Sequence, residues 1–179
     1  MPFPFSLLCE LLNRLDQNRT KPSRTGDLDA KTVVAWFNKH SQIIPRRGPE
    51  AVAFLSCLFP KRRPDRVFGL QVRQLEKIIQ RAQCLGSSRM KVLQNWKTSD
   101  GLDFASCVER VMAITDCEPR CDPNVTLEEL DDILDQIAAT SAFSSVRLRE
   151  RVRKKYDRPA RADDLLSKIF QVLKSSKAK

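Results

Sequence analysis

Hydrophobic residues return along this chain at intervals of three and four, in successive segments parted by short polar or proline-bearing breaks, which is the period of helices packed on one face. Phe5, Leu8, Leu11, Leu12 and Leu15 form the first stripe, with Ser6 placed to cap it and Arg14 and Asp16 outside it. Asn18 to Gly26 collects Arg19, Lys21, Pro22, Ser23 and Arg24 and reads as an exposed basic loop, after which Asp27 or Asp29 can cap a second helix. That helix carries Val33, Val34, Trp36 and Phe37 and stops before Pro45. A turn at 44–49 leads to Ala51, Val52, Phe54, Leu55, Leu58 and Phe59. These are apolar round so much of the circumference that the pattern predicts a central helix.

Leu70, Leu75, Ile78, Ile79, Ala82 and Leu85 make the next stripe, and Met90, Val92, Leu93 and Trp96 a short helix after Gly86-Ser87-Ser88. Phe104, Cys107, Val108, Val111 and Met112 continue the period until a loop at Cys117–Pro123. Thr126-Leu127-Glu128-Glu129 is a capping box, and Leu127, Leu130, Ile133, Leu134 and Ile137 follow it as a core stripe. Val146, Leu148 and Val152, then Leu165, Leu166, Ile169, Phe170 and Leu173, complete the pattern. No alternating segment reads as a strand, so the expectation is an all-α fold: one compact domain of about eight or nine helices over residues 1–173, with a polar tail at 174–179.

The break between the third and fourth helices carries the densest charge. Phe59-Pro60-Lys61-Arg62-Arg63-Pro64-Asp65-Arg66 cannot pack in a core and must face water or a polyanion. It opens into a helix expected to begin near Gly69, with Arg73, Lys77 and Arg81 off the apolar stripe. Backbone N–H groups at a helix start and guanidinium forks both suit phosphate oxygens, although a solvated loop before an ordinary helix has the same composition.

Composition sharpens this. With 41% hydrophobic residues, 30% charged and only five glycines, 179 residues suffice for a folded helical core. The net charge of +10 points to nucleic acid or another anionic surface. Residues 41–100 hold twelve cations against four acids, 101–145 two against ten, and 146–179 twelve against four, so a sided molecule is expected, its acidic face turned away from the polyanion. Glu128, Glu129, Asp131, Asp132 and Asp135 sit near the positive end of their helix and read as a solvated face rather than a metal site. Six cysteines without a secretory leader pattern at the start are expected to be reduced, and no apolar run reaches the roughly 20 residues of a membrane span.

Catalytic candidates are few. His40 is the single histidine and, near a helix end, reads as a surface or capping group. Cys117 and Cys121 have no second close Cys/His pair to complete a tetrahedral zinc site. Lys155-Tyr156-Asp157-Arg158 is similar to the nucleotidyl-transfer signature Lys-x-Asp-Gly but has arginine where glycine is needed. No glycine-rich phosphate loop and no Ser/His/Asp arrangement is present, so no catalytic residue is assigned.

Four segments in order carry a family resemblance: Phe5-Ser6-Leu7-Leu8-Cys9-x-Leu11-Leu12; Leu58-Phe59-Pro60 to Arg66-Val67-Phe68-Gly69-Leu70; Gly101-Leu102-Asp103-Phe104-Ala105; and Thr126-Leu127 through Leu130-Asp131-x-Ile133-Leu134-Asp135-x-Ile137-Ala138. Over most of residues 3–173 the chain resembles the N-terminal DNA-binding domain of eukaryotic ATP-dependent DNA ligases, most like the type IV ligase of non-homologous end joining in a fungal form. The resemblance implies an all-helical module that grips duplex DNA from the minor-groove side through backbone contacts near a nick or end, in the nucleus, in double-strand-break repair and recombination. Its expected partners are duplex DNA, end-joining repair proteins and a ligase catalytic core, with no membrane and no cofactor in this chain; ATP and magnesium belong to the full ligase. The expected DNA contacts are Lys61, Arg62, Arg63, Arg66, Gly69 and Arg73 in the first basic block and Arg147, Arg151, Lys154 and Lys155 in the second. The chain departs from a whole ligase in having no adenylation motif and no OB-fold region, and it stops where the family continues into another helical pair. A fragment, a truncated product or a degenerate paralogue is therefore expected. The competing reading is a helical protein-interaction adaptor that uses the acidic 101–145 segment and has little DNA affinity.

Overall fold

The structure, a computed structural model, describes residues 2–19, 25–98, 102–114, 125–157 and 160–168. It is all-α: eight α-helices and two short 3-10 turns are bounded among the described residues, residues 162–168 are also helical, and the only β pairing there is an isolated bridge between Pro4 and Thr126. Contacts gather into two compact units, one of Met1–Arg63 with Asn124–Asp132 and the other of Pro64–Pro123 with Ile133–Lys179.

The first unit contains α1 (Phe5–Arg19), α2 (Thr25–His40) and α3 (Gly48–Leu58), with the opening turns of α7 (Leu127–Ala139). Its core is Phe3, Leu8, Leu11, Trp36, Ala53, Phe54 and Leu127. Trp36 has no exposed surface; its Nε1 donates to the Leu7 carbonyl (3.1 Å), which satisfies the one polar atom a buried indole carries. The N-terminal segment is pinned by Phe5 N–H donating to the Val125 carbonyl (2.9 Å) and Leu127 N–H to that of Phe3 (3.0 Å).

Several expectations change here. Neither Ser6 nor Asp27 nor Asp29 begins a helix: α1 starts at Phe5 and α2 at Thr25, and Asp29 instead accepts from the Asn18 amide (3.0 Å). α3 is not central, because it buries Ala53 and Phe54 while Val52 and Leu55 are each more than half exposed, as is Phe59 just beyond it. Leu12 and Val34 also face outward. His40 is buried at the end of α2, its ring 5.0 Å from that of Trp36, rather than on the surface.

The second unit packs α4 (Val72–Ala82), α5 (Ser87–Gln94) and α6 (Phe104–Ile114) around Ile79, Leu85, Leu93 and Val111. Glu76 is buried there, accepting from Trp96 Nε1 (2.7 Å) and from Lys97 Nζ (2.9 Å), so its charge is paired and hydrogen-bonded. The rest of α7 and α8 (Val146–Lys155) bury Ile137, Ala138, Leu148 and Val152, with Leu165 and Leu166 buried in 162–168. The capping box forms as expected: Thr126 N–H donates to Glu129 Oε2 (3.0 Å) and Glu129 N–H to Thr126 Oγ1 (3.2 Å). Val146, expected in the last stripes, is exposed, since α8 begins there with Ser145 as its cap. Cys9, Cys57, Cys84 and Cys107 form no disulfide; Cys117, Cys121, Ile169, Phe170 and Leu173 lie outside the described residues.

Candidate nucleic-acid interface

In the first unit the basic loop leaves α3 through a 3-10 turn, Pro60–Arg62, closed by Arg62 N–H donating to the Phe59 carbonyl (2.9 Å) and Arg63 N–H to that of Pro60 (3.2 Å). The proline fixes the first backbone angle, and the tight turn throws Lys61 and Arg62 outward. No acid among the described residues pairs with either. Arg63 is different. Its Nη1 donates to Ser56 Oγ (2.7 Å) and lies 3.8 Å from Asp131 Oδ1, and only 15% of its side chain is exposed. The expectation of an outward Arg63 is corrected: the turn aims it back along α3 and on to α7.

In the second unit Arg66 is corrected in the same way. Its side chain is 6% exposed, and Nε (2.9 Å) and Nη2 (2.6 Å) both donate to Asp135 Oδ1, while Oδ2 of the same carboxylate accepts from Arg151 Nη2 (2.6 Å). A buried guanidinium stays charged, so it needs a carboxylate, and Asp135 supplies it from α7. The acids of that helix are accordingly not one solvated face. Asp131 and Asp135 are partners of the arginines flanking Pro64, while Glu128 and Glu129 remain exposed.

Gly69 does not open a helix. α4 begins three residues later, at Val72, and the Gln71 N–H before it is taken by the Gln74 side chain (2.9 Å). The glycine answers a backbone demand: φ is +63° and an added Cβ would sit 2.8 Å from Ser141 Oγ. Residues 65–67 lie along the turn between α7 and α8, with Ser145 N–H donating to the Asp65 carbonyl (3.1 Å) and Ser144 Oγ bonding both the N–H (2.9 Å) and the carbonyl (2.8 Å) of Val67.

Arg73 is exposed on the first turn of α4, and Arg147, Arg151, Lys154 and Lys155 are exposed on α8. The last-turn cations of α8 also oppose the negative end of their own helix, a purely structural reason for part of that charge. Arg149, Arg153 and Arg161 line a cleft that sequence reasoning did not single out; the four-residue spacing of the first two, which stacks them on one helix face, is the signal that marks it.

Lys155 Nζ lies over the Tyr156 ring, 5.5 Å from its centroid, at the exposed end of α8, and Arg158 falls outside the described residues. No three His, Cys, Asp or Glu side chains among the described residues converge as a metal site, and no helix there is long and apolar enough to cross a membrane. A family model described as the DNA ligase N terminus matches residues 4–179. No curated protein and no solved structure matches the chain.

Proposed function

This chain belongs to the DNA ligase N-terminus family, and we propose that within a ligase it binds duplex DNA, holding the sugar-phosphate backbone near a nick or an end while the chemistry lies elsewhere. The observation that carries this reading is the sorting of its cations. Arg63 and Arg66 are turned inward on aspartates, whereas Lys61, Arg62 and Arg73, with Arg147 and Lys154 on α8, are exposed and paired with no acid among the described residues. Exposed unpaired cations release counterions from DNA on contact; inward pairs cannot. The narrower placing, a type IV ligase of end joining acting in the nucleus, rests on the likeness of the four segments and belongs to the same proposal, as do ATP and magnesium in the catalytic part.

The adaptor reading gains support from a different feature than the acidic segment. Val52, Leu55 and Phe59 form an exposed apolar set on and after α3, while Asp131 and Asp135 are engaged internally. Salt separates the two readings. Fluorescence anisotropy of the chain with nicked duplexes of unrelated sequence should give similar affinities, weakened about 100-fold between about 50 and about 200 mM salt if four cations reach phosphate. No duplex binding at the lower salt would leave the adaptor as the better account.

A further inference from the structure

Within the second unit, the end of α7, one side of α8 and residues 160–162 enclose a cleft of about 390 Å³, in the roughly 300–1,000 Å³ range of ligand pockets. Arg149, Arg153 and Arg161 line it, with Ala139 and Val152 as apolar wall. Two acids of this unit are engaged with other cations: Asp163 pairs with Arg81 (2.6 Å), and Asp135 with Arg66 and Arg151. No carboxylate among the described residues pairs with any of the three. Arg149 is half-buried, and its Nε is fully buried with no hydrogen-bond partner. Thr140 cannot help as a donor, because its hydroxyl donates to the Ile137 carbonyl (2.7 Å).

A buried guanidinium donor without an acceptor and three like charges round one opening are both unfavourable, and both are relieved by a compact anion rich in oxygens. Three separately mounted guanidinium groups exceed what the two oxygens of a carboxylate can satisfy and suit a phosphate. We propose that this cleft binds a phosphate group, with Arg149 Nε–H donating to one oxygen and Arg153 and Arg161 closing on the others. Ala139 and Val152 then face the apolar part of a phosphate ester. The site shares no residue with the turn that carries Lys61 and Arg62 and does not depend on the DNA-binding reading. The phosphate can come from a DNA strand or from a free small ester, and the test separates the sources.

The chain, with arginine ¹⁵N-labelled, is titrated with inorganic phosphate against chloride at constant ionic strength, following the Arg149 Nε–H resonance, assigned by its loss in Arg149→Lys. A saturable shift is expected in the wild type, with affinity roughly tenfold or more weaker in an Arg153→Ala, Arg161→Ala variant. Both residues are exposed, so that variant should keep the thermal unfolding of the wild type. A response no larger than that to chloride, or one unchanged in the double variant, overturns the proposal. Competition then assigns the source: displacement by adenosine monophosphate alone indicates a free ester, by a 5′-phosphorylated but not a 5′-hydroxyl duplex a strand end, and by both duplexes equally the backbone. Failure of all three to displace phosphate overturns the assignment to a phosphate ester. A chain that binds duplex yet shows no saturable phosphate shift loses the cleft and keeps the DNA-binding reading.

Discussion

Asp135 accepts from one buried and one exposed arginine, and the two bonds differ in consequence although their shortest distances are equal at 2.6 Å. Removing the carboxylate takes an ion pair with two hydrogen bonds from Arg66, whose side chain is 6% exposed, so Asp135→Ala should cost about 3–5 kcal/mol in urea unfolding. Arg151 is 58% exposed, and Arg151→Ala should cost no more than about 1 kcal/mol. Equal losses would show that Arg66 is not held as described. Asp103, before α6, accepts from the Ser106 N–H (2.7 Å), and the Ser106 backbone and side chain hold its carboxyl below its ordinary 3.8. A depressed carboxyl stabilises the fold above its unfolded value and loses that contribution as pH falls through the lower folded value. Asp103→Asn should therefore flatten the acid limb of the stability profile below about pH 4, measured by thermal unfolding across pH, and leave its neutral-to-basic shape unchanged. At this scale the sequence shows which residues are charged but not which are spent on folding: Arg66 and Asp135 are 69 positions apart, and no local pattern joins them.

Elements were more legible than their orientations. The stripes of α1, α4 and α7 and the Thr126–Glu129 box follow from short-range rules, and the structure contains them. An apolar stripe can be wider than the face its neighbours cover, which is why Leu12, Val34, Leu55 and Val146 are exposed despite fitting the period. Gly69 has the composition of a helix opener, but it is a left-handed residue pressed on Ser141, and α4 starts only at Val72. Gly69→Ala should cost about 1–3 kcal/mol in thermal unfolding for the φ of +63° it must adopt. Adding Ser141→Gly removes the 2.8 Å collision but not the backbone strain, so it should restore only part of the loss. Full restoration would show that the collision, not the conformation, demands glycine.

For the whole molecule, the helical period and the sparse glycine were enough to read an all-α fold, because both are properties of the chain rather than of long-range contacts. Charge along the chain does not translate directly into charge on the surface. Residues 101–145 are strongly acidic, yet Asp131 and Asp135 neutralise arginines of the adjoining basic block instead of forming a separate face. What remains for a polyanion is the unpaired set that includes Lys61 and Arg62, and the account stands on that remainder. The most direct test is the slope of log affinity against log salt for duplex binding by Lys61→Ala, Arg62→Ala beside the wild type. Each lost phosphate contact lowers the slope by about 0.9, so the variant should lose about 1.8, alike on unrelated duplexes and with unfolding unchanged because both side chains are exposed. A slope and affinity equal to those of the wild type would contradict the account.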